Sequence, residues 1–190
     1  MVAYPLKGYY FQGTLRKIGL GFFDDVNFTT ATLSFAKYFD LGKGFYFSNL
    51  AVLYGNTTKK ISYNNYYGAG YGENNVRGYE SFVIEGKNFI LNKATFKLRL
   101  LNTSFDLKQM PLSQFRHLPL AIYLKAFFDA AYVTNYDNYE MNSLFSNNII
   151  YGTGLGIDIH TAYDMILRFE MPVADYNLKP GFNFALKKEF

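Results

Sequence analysis

Hydrophobic and polar residues alternate with a period of two along most of this chain, and helical periodicity is scarce. The last ten residues show the pattern most plainly. Phe182, Phe184, Leu186 and Phe190 fall on one strand face, while Asn183, Ala185, Lys187 and Glu189 fall on the other. Soluble chains rarely end on an apolar strand, because termini fray in water. A strand closing a transmembrane β-barrel can end this way, with one face on lipid and the other on a polar lumen. Lys188 falls in the lipid-side register, where a lysine near the membrane rim can snorkel to the interface.

The same alternation predicts strands over residues 7–18, 27–39, 44–55, 90–106, 119–134, 147–160, 163–173 and 181–190. Eight is an even number, as in bacterial single-chain barrels. Most of these runs reach the roughly 9–11 residues that a tilted strand needs to cross a bilayer. Connections alternate in length. Asp40–Gly44 and the stretch around His160-Thr161-Ala162 read as tight turns, whereas 56–89 and 135–146 are long and rich in Tyr, Asn and Gly. Long extracellular loops and short periplasmic turns place both termini in the periplasm. Residues 106–118 are long for the short-turn side, and Pro111 and Pro119 favour a loop there over a helix.

The faces are consistent from strand to strand. Leu33, Phe35, Phe96, Leu98, Phe128, Leu155, Leu167 and Met171 are expected to point outward. Arg16, Thr32, Ser34, Lys97, Arg99, Lys125, Asp129, Asp158, Arg168 and Glu170 are expected to point inward, with Gly152, Gly154 and Gly156. Charges of both signs in a lumen should form a paired network, since an unpaired buried charge is costly. Glycines there make room for larger neighbours or an inserted loop. A barrel of this size is expected to be filled by its own side chains, without an aqueous channel.

Composition narrows the reading only partly. Aromatics make up 20% of the chain, as 20 Phe and 18 Tyr without Trp, which suits aromatic girdles. Mean hydropathy is −0.08, and no run approaches the roughly 18 apolar residues of a transmembrane helix. An ordinary soluble β-protein fits these numbers equally well. Cysteine is absent, which excludes a disulfide scaffold and thiolate chemistry. The net charge is +4 without a Lys/Arg run, so nucleic acid is not an expected partner. No signal peptide is legible at Met1-Val2-Ala3, which points to a mature form or a fragment.

The longest loop contains Val76-Arg77-Gly78-Tyr79. Two predicted strands later comes Phe127-Phe128-Asp129-Ala130-Ala131, then the glycine-rich strand Tyr151–Ile157 and the terminal strand. This order, over about residues 40–190, resembles the C-terminal half of the BamA-like outer-membrane assembly and secretion superfamily, also called the bacterial surface antigen family. Members have a sixteen-stranded barrel after periplasmic POTRA domains. Their sixth extracellular loop carries a [VI]-R-G-[FY] motif, folds into the lumen and sets its Arg against an Asp in an F-x-D-x-G strand. The resemblance implies that Arg77 is the loop-lock arginine and Asp129 its lumen partner. A guanidinium offers a planar, always-charged fork to a carboxylate. The plain alternative is an exposed Arg77, with Asp129 paired to Lys125. This sequence departs from the family at Ala131, where a Gly is usual, and at Lys97, where a Glu is usual, leaving Asp129 alone or with Glu170. It also shows no POTRA domain and only eight strands, so insertion or secretion of proteins does not carry over directly.

Other classes leave weaker traces. His117 and His160 are the only histidines. Asp158 and His160 share an inward face, but at the periplasmic end, where a structural polar pair outweighs a lipid-modifying catalytic one. A lipocalin-type barrel would invert the faces. Tyr- and Asn-rich loops at 61–75 and 135–142 suit a surface-binding barrel equally well. No zinc-like cluster or phosphate-cradling loop is present, so no catalytic residue, metal or cofactor is implied. The expectation is an all-β, eight-stranded antiparallel transmembrane β-barrel with a long third extracellular loop folding into the lumen. Residues 1–190 form one such domain, either self-contained or half of a larger barrel. It would sit in the bacterial outer membrane as a non-enzymatic assembly or transport barrel, without an open pore as a monomer. Outer-membrane lipids are its expected partners, with a homodimer and an outer-membrane client protein left open.

Overall fold

The computed structural model describes residues 4–19, 27–58, 67–70, 74–106, 117–136, 144–161, 165–176 and 179–188, apart from the side chains of 106, 117, 187 and 188. The strands are β1 (Gly8–Ile18), β2 (Phe28–Gly42), β3 (Phe45–Asn56), β4 (Tyr67–Ala69), β5 (Ile84–Gly86), β6 (Asn88–Asp106), β7 (His117–Thr134), β8 (Ile149–His160), β9 (Met165–Ala174) and β10 (Asn183–Lys188). Eight of them form one antiparallel sheet in the order β1-β2-β3-β6-β7-β8-β9-β10. All eight predicted runs lie in this sheet, with ends shifted by a few residues. The count of ten differs from the predicted eight because β4 and β5 pair as a small separate sheet within the longest loop. That loop is the second connection on its rim, not the third, since 19–27 joins β1 to β2 at the same end.

Each strand turns alternate residues to the two faces. The outer face is apolar and exposed on every long strand, for example at Phe11, Leu33, Leu53, Phe96, Phe128, Leu155, Met171 and Phe184. A soluble monomer rarely exposes a continuous apolar surface of this extent. No described helix is long and apolar enough to cross a membrane.

The inner face encloses three layers. At the rim of long connections, Val52, Val76, Tyr79, Phe89, Leu91, Val133 and Ile150 pack as an apolar cluster. At the rim of tight turns, Tyr4, Tyr46, Ala121, Tyr123 and Ile166 form a second one. Between them lie the buried charges Lys97, Lys125, Asp129, Asp158 and Glu170. The interior is not completely filled. A cavity of about 1160 Å³ is lined from all eight strands of the sheet. β1–β3 contribute short side chains to it, among them Thr14, Thr32, Ser34, Ala36 and Ser48.

Hydrogen bonding across the sheet begins at β1 and ends at β10. Among the described residues no ladder joins these two edges. β1 pairs with β2 over its whole length, whereas only the six residues Asn183–Lys188 of β10 pair with β9.

Candidate functional site

The loop after β3 enters the curl of the sheet and turns sharply at Val76–Tyr79, where the Tyr79 N–H donates to Val76 O at 3.0 Å. Gly78 holds a φ of +100° in this turn, a conformation that side chains with a Cβ resist. Ala174 of β9 lies so close that a Cβ on Gly78 would sit 3.1 Å from its methyl. Val76 and Tyr79, on either side, are 1% and 2% exposed. The motif therefore inserts two apolar side chains into the outer cluster and turns Arg77 toward the charged layer.

Arg77 reaches three strands. Its Nε and Nη2 donate to the two oxygens of Asp129 on β7 at 2.7 and 2.6 Å, and its backbone N–H donates to the same carboxylate at 3.2 Å. Nη1 donates to Glu170 Oε1 on β9 at 3.3 Å, and Nη2 to Thr95 Oγ1 on β6 at 3.1 Å. The guanidinium carbon stands 3.8 Å from the centre of the Phe127 ring, close enough for a cation–π attraction. Asp129 is fully buried. Two parallel charge-assisted bonds fix both the position and the plane of the guanidinium. Lys125 lies away from Asp129; it bonds Asp158 at 2.6 Å and Glu170 at 2.7 Å.

β8 faces the loop, and its glycines create the necessary room. A Cβ on Gly152 would lie 1.9 Å from the Arg77 carbonyl oxygen, and one on Gly154 would lie 2.7 Å from the Phe127 ring. One on Gly156 would lie 2.8 Å from the Lys125 stem. This strand therefore accommodates, in turn, the loop backbone, the ring beneath Arg77 and the lysine below it.

Glu170 links the loop arginine to a second group of charges. Arg168 Nε donates to Asp158 at 3.1 Å, and the Tyr4 hydroxyl donates to the other oxygen of Asp158 at 3.0 Å. Burial, reinforced by the Asp158 carboxylate, raises the Tyr4 phenol above its ordinary value and keeps it a neutral donor. Arg77, Lys125 and Arg168 thus balance Asp129, Asp158 and Glu170 within the described ion pairs. Pairing of this kind offsets much of the desolvation cost of six buried or half-buried charges.

The family departures find concrete places. Lys97 sits over the Tyr4 ring at 3.9 Å, in the inner half of the sheet, so the second carboxylate on Arg77 comes from β9 rather than β6. Ala131 is buried in the outer apolar cluster, where its methyl has neighbours. His160 stacks on Tyr4 with ring centres 5.4 Å apart. Among the described residues it has no hydrogen bond to Asp158. Phe184 and Leu186 are exposed on the outer face. Phe190, residues 107–116 and most of the Tyr/Asn-rich loops lie outside the described residues.

Sequence reasoning missed Tyr4, Thr95 and the ring cluster around Tyr79. Phe82, Phe145 and Tyr176 pack on Tyr79 at centroid distances of 6.2, 5.1 and 4.8 Å. The Tyr79 hydroxyl also donates to Asp175. These residues come from three connections that meet only in space, so the sequence held no spacing to reveal them. Phe127 did have a signal, as the aromatic two residues before Asp129.

A family model described as the Omp85 superfamily domain matches residues 2–190. Comparison with curated proteins and with solved structures gives no match.

Proposed function

Because the chain belongs to the Omp85 superfamily, whose members work in outer-membrane assembly and translocation, we propose that it is a non-enzymatic outer-membrane barrel whose interior is closed by its own loop. One observation carries this reading: the two-pronged contact of Arg77 with Asp129 at 2.6 and 2.7 Å, which pins the loop after β3 inside the sheet. Tyr79 and its ring partners cap the outer rim, and Tyr4 with its neighbours caps the inner one. The eight-stranded sheet forms the transmembrane wall, with lipid on its apolar face. The edges of β1 and β10 form the wall's seam, where an outer-membrane client strand or a second copy of the chain would satisfy unpaired backbone groups. In lipid such groups are costly to leave unmet.

The test is reconstitution into planar bilayers and phospholipid vesicles. The wild type is expected to show no steady conductance and to accelerate insertion of an unfolded β-barrel client. Arg77→Ala is expected to conduct and to lose most of that acceleration. Steady conductance by the wild type would sink the closed-loop reading. Client insertion no faster than in empty vesicles would sink the assembly role. Release of acyl chains from the vesicles would instead favour a lipid-modifying enzyme.

A further inference from the structure

The cavity beside the charged layer carries chemistry that the loop lock does not use. Its lining includes the cations Arg16, Arg77, Lys93, Lys97, Lys125 and Arg168 against the acids Glu80, Asp158 and Glu170. All three acids are engaged: Asp158 and Glu170 in ion pairs, and Glu80 with the Gly78 N–H at 2.9 Å. Arg77, Lys125 and Arg168 are matched by Asp129, Asp158 and Glu170 in those ion pairs, and the cation of the lining that stands on the edge strand β1 is Arg16. Arg16 on β1 is exposed, and among the described residues it makes no ion pair. Beside it, Thr14, Thr30, Thr32 and Ser34 present a row of hydroxyls to the same space.

The cavity also reaches the outer surface. Gln12, Thr14 and Arg16 point inward yet are exposed. Phe184, which belongs to the outer face and is 56% exposed, nevertheless contributes to the lining. Both features place the opening at the β1–β10 seam, where no ladder is recorded among the described residues. On the lipid side the seam is flanked by Phe11, Leu15, Phe184 and Leu186, each at least 56% exposed. At this edge the inward face of β1, with Arg16 and its neighbouring hydroxyls, thus lies beside the apolar outer face.

We propose that this cavity binds an anionic amphiphile, with its phosphate or carboxylate headgroup on Arg16 and the β1–β2 hydroxyls and its alkyl chain leaving through the β1–β10 seam. A guanidinium takes either anion with two parallel hydrogen bonds. The volume of about 1160 Å³ exceeds the roughly 300–1,000 Å³ of small-molecule sites, so a hydrated headgroup fits. The proposal shares the membrane reading above as the source of its ligand, but it does not depend on any client-insertion activity.

The experiment is native mass spectrometry of the folded protein released from neutral-detergent micelles, with dodecyl phosphate as the probe. Inorganic phosphate and dodecyltrimethylammonium are run in parallel. Arg16→Glu and Arg16→Gln are compared with Lys17→Glu, which makes the same charge change as Arg16→Glu one residue along, on the opposite face of β1. Heat-dependent gel mobility confirms that each variant is folded. The expected result is retention of dodecyl phosphate by the wild type and by Lys17→Glu, with at least a tenfold loss in both Arg16 variants. The cationic amphiphile and inorganic phosphate should not be retained. Equal retention by the Arg16 variants, or an equal loss in Lys17→Glu, would overturn the site. Retention of inorganic phosphate as strong as that of dodecyl phosphate would overturn the amphiphile. A failure of client insertion would leave every one of these readings unchanged.

Discussion

Replacing Gly152 by alanine probes the loop lock without touching a charge. Gly152 stands across the ladder from Asp129 on one side and Ala174 on the other. The new Cβ would lie 1.9 Å from the Arg77 carbonyl oxygen, whereas ordinary contact begins near 3.4 Å. The loop backbone and β8 must therefore part by about 1.5 Å, the difference between those two distances. β8 is held by ladders on both sides, so the loop yields. A displacement of that size takes bonds of 2.6 and 2.7 Å beyond hydrogen-bonding range. It strands Asp129, which is 0% exposed, and breaking a buried pair costs about 3–5 kcal/mol. The chain has no cysteine, so Val76→Cys supplies a unique reporter at a position 1% exposed. Its maleimide labelling in detergent requires the loop to open. At tenfold per 1.4 kcal/mol, about 3 kcal/mol predicts a labelling rate roughly 100-fold higher in Gly152→Ala. Gly13→Ala, whose Cβ would meet only Leu33 at 3.4 Å, should leave the rate unchanged. Folding of both variants is checked by heat-dependent gel mobility. A Gly152→Ala rate within threefold of the parent, in a folded protein, would refute the argument.

Arg77→Ala should lower stability by about 3–5 kcal/mol in denaturant titrations in detergent, because Asp129 is left buried and unpaired. Adding Asp129→Asn should restore part of that loss, and strict additivity of the two changes would disprove their coupling. Tyr4→Phe removes the hydroxyl that donates to Asp158 and should cost about 1.5–3 kcal/mol, as for a hydrogen bond to a charged group. In bilayers it should admit brief conductance events through the inner rim, and a silent trace would show that the Tyr4 ring alone suffices as a plug.

Period-two alternation was enough to locate the eight long strands and to sort the residues of each onto two faces, while the exposure of the apolar face came from the structure. A one-residue change of register would have moved Leu33, Phe128 and Leu155 to the inside and the buried Asp129 to the apolar face. The loop arginine and its aspartate were legible because the motif order survives in the sequence, with Phe127 still two residues before Asp129. The glycines of β8 announced free space, though not that Gly152 meets the loop backbone while Gly156 meets a lysine.

Everything that depends on which strands curl toward each other came only from the tertiary structure. Glu170 serves Arg77 because β9 lies beside β8, a distance of 93 residues along the chain. Tyr4 is held in the inner apolar cluster because 154 residues later Asp158 presents an acceptor there. The cavity, and the lack of a β1–β10 ladder among the described residues, follow from the side-chain volumes around the interior and from where pairing stops. Alternation is a local property, written once per strand and readable in one dimension. Charge pairing, filling and closure are properties of the whole wall, fixed only when distant strands share a single low-dielectric space.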